Sequence, residues 1–296
     1  MDVAKIHRLA GKACVIAQVH INIREKGDQM ALIQLYHGAS SVCSSKVRVG
    51  LAEKEITWES RPINLAKGEQ NNPDYLKLNP NGVVPTLVDG DLVVTESSVI
   101  LEYVDSLNSE NPLMPVDKAR NVKAKMWLAR CIDIHAAINT MTFSTVNRQQ
   151  ILAEKTPEEI EASIAKMANP AAAAKRRDVL ANGLSSLHVA VAFFVLRRLF
   201  RDMQAALLQS AWLLGSQYSL ADAAVISYVD RLDRLGFDGM WREAYPAIGP
   251  WLAASRARPS YAAAIDAFID PATSAKMRRE GTAMWPEVKA HWRAFA

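Results

Sequence analysis

The chain predicts a small α/β domain followed by an all-α domain, and three observations carry that expectation. Segments with strand character are confined to the first third of the sequence. They run strand–helix–strand and then strand–strand–helix, the order of one mixed sheet covered by helices. Beyond a segment rich in Asn and Pro at residues 109–116, every periodic stretch repeats at helical spacing.

Residues 32–36, Leu-Ile-Gln-Leu-Tyr, predict the first strand, and His37 to Ser41 a small-residue turn. A helix follows from about Ser44 to Glu53, where Cys43, Val47 and Leu51 recur every four residues and give one apolar side. Residues 56–63 alternate apolar and polar and predict a second strand, parallel to the first because a helix connects them. Lys67 to Leu78 predicts loop and a short helix. Val83 to Val88 predicts a strand, Asp89-Gly90 a hairpin turn, and Leu92 to Thr95 the returning strand. A helix starts near Ser97, with Val99, Ile100, Tyr103, Val104 and Leu107 as its buried stripe.

In the second half, residues 118–150 predict one long helix. Thr156-Pro157-Glu158-Glu159 has a capping threonine, a proline at the first helical position and a glutamate three residues on. Pro170 is expected to stop that helix, with further helices over 171–181 and 184–209. Ser219-Leu220-Ala221-Asp222 predicts a second capping box, and short helices follow over 251–257 and 261–268. The expected organisation is an extension (1–29), an α/β domain (30–108), a linker (109–116), a helical domain (117–271) and an unassigned tail (272–296).

Composition narrows the function classes. Of 296 residues half are apolar and 22% are charged, with a net charge of +4. That suits a globular protein with a small anionic ligand; no arginine-rich run argues for nucleic acid. No apolar stretch reaches the ~18–20 residues of a membrane helix, so neither nucleic acid nor membrane is an expected partner. The run from Ala13 to Ile23 is interrupted by Gln18 and His20 and makes a weak signal peptide. Cys14, Cys43 and Cys131 are odd in number and widely spaced. They form no disulfide framework and no metal site, and a reducing cytoplasm is the expected location.

Three segments of the first domain carry chemistry. Val84-Pro85 stands at a strand start, where a proline costs a ladder donor. A cis bond there presents the Val84 N–H and C=O to an extended peptide. Thr95-Glu96-Ser97-Ser98 precedes a helix, whose free N–H groups and hydroxyls suit a carboxylate while Glu96 suits an ammonium. Ser40-Ser41-Val42-Cys43-Ser44 brings hydroxyls and one thiol to a helix N-terminus, where a thiolate is stabilised. Singly, each also reads as an ordinary edge proline or serine cap.

Together the segments resemble the glutathione S-transferase superfamily. The run Ser41 to Arg48, Gly68-Glu69-Gln70, Asn79 to Pro85 and Thr95-Glu96-Ser97 stand in family order, as do Trp212 to Gly215 and Tyr218 to Asp222. The resemblance covers about residues 31–270. It implies a thioredoxin-like N-terminal domain, an all-α C-terminal domain, glutathione as co-substrate, a small apolar electrophile and a homodimer. By position, Ser41 resembles the serine that donates to the glutathione sulfur, and Cys43 matches the cysteine of the zeta-type Ser-x-Cys motif. Gln70 falls near the glycine carboxylate, Val84 (with Pro85) pairs with the cysteinyl backbone, and Glu96 and Ser97 hold the γ-glutamyl end.

The chain departs from the pattern in places. Delta-type relatives have Ser-Ser-Pro-Cys where this chain has Ser40-Ser41-Val42-Cys43, which leaves Ser40 a rival to Ser41. Val83 stands where theta-like relatives carry lysine. The enlarged helical insert, Glu154 to Arg201, is most similar to bacterial β-etherase-type enzymes, which cleave aryl ethers with glutathione; dehalogenating members also carry enlarged helical domains. The expected activity is transfer of the glutathione sulfur to an apolar electrophile. Thiol–disulfide exchange through Cys43 and a non-catalytic interaction protein are the alternatives. Arg130, His135 and Asn139 fall where the second substrate belongs, although packing or surface roles suit them better; His37 is a further candidate to face the site.

Overall fold

Leu35 and His37 are the buried positions of the first strand, β1 (Ile33–His37), in a computed structural model that describes residues 32–295. The expected extension over residues 1–29 lies outside the described residues. The remaining strands are β2 (Trp58–Pro62), β3 (Thr86–Asp89) and β4 (Leu92–Val94). They assemble in the order β2-β1-β3-β4. β1 and β2 are parallel, and the other two pairs are antiparallel.

α1 (Val42–Glu53) buries every residue from Val42 to Leu51. A helix with one apolar stripe buries one face; this one is enclosed on both sides. Val47 and Leu51 pack with Leu35, Leu87, Ile100 and Val104 beneath the sheet. Val42, Cys43 and Val49 belong instead to the main core, shared with the helical half. Residues 32–295 therefore form one compact unit with a continuous core across the sheet and helical halves. α2 (Pro73–Leu78) is the short helix, and α3 (Ser97–Ser106) follows the hairpin.

Several boundaries shift for identifiable reasons. β2 starts at Trp58 rather than residue 56 because the Ile56 N–H is bonded to Leu51 O, which keeps it at the end of α1. β3 starts at Thr86 rather than Val83. The Val83 carbonyl accepts from Tyr75 Oη (2.6 Å) and Asn79 Nδ2 (2.9 Å), and Pro85 has no donor for a ladder. On α3 the buried residues are Ile100, Leu101, Val104 and Asp105, while Val99 is exposed. Asp105 is buried because it accepts from the N–H groups of Leu113 (2.8 Å) and Met114 (2.9 Å) and pairs with Lys54 at 3.1 Å. That carboxylate pins the linker to α3.

The long helix predicted over 118–150 is two helices, α4 (Lys118–Ser144) and α5 (Val146–Glu154). The hydroxyls of Thr140, Thr142, Ser144 and Thr145 all donate back to carbonyls three or four residues earlier. Such back-bonding competes with the helical ladder and bends it; Thr145 leaves helical geometry at φ −123°, ψ −112°. α6 (Pro157–Ala165) has the expected capping box, with Glu159 N–H to Thr156 Oγ1 at 3.3 Å and Thr156 N–H to Glu159 Oε2 at 2.9 Å. Pro170 does not stop that helix. It opens α7 (Pro170–Asn182), capped by Asn169, which accepts from Ala171 and Ala172.

α8 (Leu187–Leu207) packs on α4, with Arg130 and Asp202 paired at 2.9 Å. α9 (Leu220–Arg234) is the central helix of the core. Its capping residue Asp222 is fully buried and accepts from Ser219 N–H, Ser219 Oγ, Leu213 N–H and Trp251 Nε1. α10 (Ile248–Arg256) and α11 (Pro259–Ala264) follow. The tail left unassigned from sequence is α12 (Pro271–Ala294), docked through Gly281, Val288 and Trp292. No single helix among the described residues is long and apolar enough to cross a membrane.

Candidate functional site

The β1–α1 turn is held by a buried guanidinium. Arg48 is 1% exposed and donates to the carbonyls of Gly38 (3.2 Å), Ala39 (2.9 Å) and Ala264 (2.8 Å), to Ser45 Oγ and to His37 Nδ1. One side chain thus fixes the turn to its own helix and to α11. Ser44 is turned inward too: its hydroxyl oxygen accepts from the Gly38 N–H at 3.2 Å.

Ser41 caps α1. It has φ −71°, ψ 124°, and Oγ accepts from the Ser44 N–H at 3.3 Å. That bond uses a lone pair and leaves the hydroxyl proton free to donate. Ser40 is exposed in the preceding turn, and its carbonyl accepts from Arg231. Cys43, on the first turn of α1, is buried at 7% exposure, with Sγ 3.8 Å from Tyr228 Oη on α9.

The other predicted residues lie just before β3, at the start of α3 and in the turn before α2. Val84-Pro85 is cis. Neither the N–H nor the C=O of Val84 has a hydrogen-bond partner among the described residues. Glu96 adopts φ +65°, ψ 102°, a conformation that non-glycine residues rarely hold. Its side chain does not cap α3. Its carbonyl accepts from Ile100, and the N–H groups of Ser97, Ser98 and Val99 have no backbone partner among the described residues. Gln70 is half-buried, and its Oε1 is buried with no partner among the described residues. Unpaired groups of this kind are costly inside a protein and concentrate where a ligand binds.

Electrostatics single out Cys43. Burial pushes its thiol up. The charge of His135 on α4, a hydrogen bond from that ring, the Lys46 ammonium and the Ser97 hydroxyl together outweigh burial and bring it down to about 6. His135 is raised in return, first by the Cys43 charge. Arg130 is engaged with Asp202 and lies over the Trp127 ring, 4.8 Å from its centroid. His37 is buried, bonded to Arg48 and Ser60, and does not offer a free ring nitrogen to the site. Lys46 and Tyr228 escaped the sequence reading. A lysine three residues after Cys43, one turn along the same helix, was the available signal for the first; nothing local signals the second.

Family models for the glutathione S-transferase N-terminal domain and C-terminal domain match residues 40–107 and 171–254, together about half the chain. The chain belongs to the glutathione S-transferase family. It is similar to glutathione S-transferase Z2 of Arabidopsis thaliana, at 44% identity over 29% of this chain and 39% of that protein. It spans about two-fifths of the length of the zeta-class plant relatives it matches. A longer match, 24% identical over 80% of this chain and 91% of the relative, is to glutathione S-transferase TCHQD of the same plant. Among solved structures, the β-etherase LigF from Sphingobium sp. strain SYK-6 superposes with a TM-score of 0.72. It is 26% identical, over 80% of this chain and all of that one.

Proposed function

We propose that the protein is a glutathione transferase in which Ser41 donates its hydroxyl proton to the glutathione sulfur, and that the thiolate attacks an apolar electrophile of the aryl-ether class. The observation that carries the reading is the set of groups left open for a partner on the predicted residues. Ser41 has a free hydroxyl proton, Val84 an open backbone N–H and C=O, Gln70 an unpartnered amide oxygen, and α3 free N–H groups beside Glu96. A tripeptide with a carboxylate and an ammonium at one end and a thiol in the middle fits that set.

The energetics are adequate. Lowering a thiol pKa from about 8.5 to about 6.5 needs roughly 2.7 kcal/mol of preferential thiolate stabilisation. A hydrogen bond to a charged group contributes roughly 1.5–3 kcal/mol and a helix N-terminus ~0.3–1. In ether cleavage the sulfur–carbon bond forms as the carbon–oxygen bond breaks and a phenolate leaves. The likeness to LigF supports that substrate class.

Thiol–disulfide exchange through Cys43 is a second reading, supported by its depressed thiol and opposed by its 7% exposure. The same family reading makes the protein a homodimer. Val99 on α3, Val93 on β4, and Val122, Met126 and Ile132 on α4 are exposed apolar residues available for pairing. Light scattering at tens of micromolar tests it; a monomeric mass overturns it.

The deciding experiment incubates the protein with glutathione and a β-aryl ether. A glutathione thioether and an equal amount of free phenol are expected. Conjugation of aryl halides without ether cleavage would move the substrate class and leave the transferase reading standing. A glutathione adduct on Cys43 with no conjugate would favour exchange.

A further inference from the structure

Three cations stand in a row in the helical insert, Lys175-Arg176-Arg177 on α7, and only the last has a counter-charge among the described residues. Arg177 grips Glu161 of α6 through Nε and Nη2. Arg176 has no hydrogen bond among the described residues, and no carboxylate there lies within ion-pair distance of Arg176 or Lys175. Both side chains are half-buried. Burial lowers Arg176 to about 10, and burial together with the Arg176 charge lowers Lys175. Two adjacent cations drawn out of water without a counter-ion are disfavoured, so an anion is called for beside them.

α7 bridges α4 and the loop that leads to Val84. Lys175 Nζ donates to the Ala136 carbonyl at 3.1 Å, and the Arg176 guanidinium carbon lies 3.3 Å from the Phe143 ring centroid. His135, Asn139 and Phe143 recur every four residues on α4 and are all half-buried, so α7 covers the end of one continuous stripe. The turn before α7 meets the first domain. A Cβ on Gly82 would lie 3.2 Å from Ala168 Cβ and 3.3 Å from the Gln70 carbonyl oxygen. Gly82 precedes Val84 by two residues, and Gln70 is the residue with the unpartnered amide oxygen. The insert thus bounds one side of the space between the proposed glutathione site and α4.

Phe143 fixes how Arg176 can bind. At van der Waals separation the planar guanidinium has room only to lie flat on the ring. Its face is then occupied, and its N–H groups point outward in the plane, where a carboxylate accepts two parallel bonds. We propose that Arg176, with Lys175 adding charge beside it, recognises a carboxylate on an aromatic electrophile, so that acidic substrates are selected over neutral ones. The inference rests on the transferase reading above and narrows its electrophile. Glutathione brings a competing carboxylate on its glycine; the same reading gives that one to Gln70 of the first domain, whereas Arg176 is held on α4. The guanidinium grips the carboxylate from binding to product release, and no proton or electron moves there.

The test pairs substrates that differ by one charge. Two β-aryl ethers, one with a ring carboxylate and one with a carboxamide in its place, are turned over with glutathione by the wild type, Arg176→Met and Arg176→Lys. A matching pair of aryl halides is run in parallel. The wild type should favour the carboxylate member by roughly tenfold to a hundredfold in kcat/KM, mostly through KM, as expected for a hydrogen-bonded charge. Arg176→Met keeps an unbranched stem over Phe143 and should bring the ratio to about one. Arg176→Lys keeps the charge without the planar fork and should retain part of the preference. An equal loss for both members in Arg176→Met would make the guanidinium a packing group and overturn the proposal. A fall in calorimetric glutathione affinity in Arg176→Met, with the substrate ratio intact, would put the bound carboxylate on glutathione and overturn it as well. A wild type indifferent to the charge overturns it without any variant having to fold. If halides react and ethers do not, the halide pair decides the preference. A wild type that turns over neither pair overturns the proposal together with the transferase reading.

Discussion

Arg48 Nη1 donates to His37 Nδ1 at 3.1 Å, and that one bond sets the state of the imidazole. A guanidinium can only donate, so Nδ1 carries no proton. Nε2 carries it and donates to Ser60 Oγ at 2.8 Å. The ring is therefore neutral, consistent with burial and the Arg48 charge lowering His37 to about 4. Through this contact the end of β1, the N-terminal turn of α1 and β2 are locked in one network.

A pH prediction follows from the sign of that shift. His37 goes from an ordinary value of 6.5 to about 4 on folding, so the unfolded chain binds its proton more readily. The stabilisation is fully present above pH 6.5 and is lost as pH falls through 4. It amounts to roughly 3.4 kcal/mol before discounting for residual solvent, and less after it. Urea unfolding across this range should show stability falling with acidity, and less steeply in His37→Gln. Parallel curves for the two proteins would remove His37 as the responsible group.

Ser41→Ala should raise the thiol pKa of bound glutathione and slow turnover with little loss of affinity, because the tripeptide is held elsewhere. It should also cost about 1 kcal/mol of stability, since Ser41 caps α1. Ser40→Ala, in the exposed turn, should change neither quantity. A spectroscopic titration of the bound thiolate separates them. A shift in Ser40→Ala and none in Ser41→Ala would reassign the donor.

Ser97→Ala should weaken glutathione binding by about 1–3 kcal/mol, the cost of leaving a charged group short of a partner. Glu96→Gln should weaken it through the ammonium end while leaving the backbone N–H groups of α3 intact. Unchanged calorimetric affinity in both variants would remove the γ-glutamyl assignment from this helix.

Local chemistry made much of this molecule readable. Thr156 with Glu159 and Ser219 with Asp222 announced their helices, because a capping box is written within four residues. The cis bond at Val84-Pro85 was legible for the same reason. Three of the misreadings turned on distant partners. Val99 looked like a core residue because its neighbours are apolar, yet it is exposed, while Asp105 on the last turn of the same helix is buried, with partners in the linker and at the end of α1. Cys43 was read as a neighbour of the sulfur site. Its electrostatic setting depends on His135 and Tyr228, 92 and 185 residues away in sequence. The α12 helix was illegible because its polar sequence docks through one glycine, one valine and one tryptophan.

Glu53 at the end of α1 receives both Nε and Nη2 of Arg258 at 2.6 Å, a two-pronged pair between the sheet and helical halves. The Glu53 side chain is 7% exposed and that of Arg258 33%. Removing the arginine leaves a nearly buried carboxylate with the Ser260 hydroxyl but no counter-charge, whereas removing the carboxylate returns a partly solvated guanidinium to water. Arg258→Met should therefore destabilise by about 2 kcal/mol and Glu53→Gln by less. Denaturation midpoints in the opposite order would show the pair's energetics to be dominated by the guanidinium.

Two glycines allow a sharper test of packing. A Cβ on Gly281 of α12 would lie 1.9 Å from the Leu235 carbonyl oxygen, just past the end of α9. On Gly50 of α1 it would lie 2.3 Å from Leu101 Cδ1 on α3. The first obstacle is backbone, anchored by the Leu235 N–H bond to Arg231, and cannot move without lifting α12. The second is the tip of a side chain that a smaller residue replaces. Gly50→Ala should cost about 1–3 kcal/mol, much of it recovered by a second change, Leu101→Val. Gly281→Ala should cost at least as much, with no side-chain substitution restoring it, and should expose Trp292, which is 7% exposed when α12 is docked. A blue-shifted, unchanged tryptophan emission in Gly281→Ala with wild-type stability would mean that α12 is not seated against Leu235.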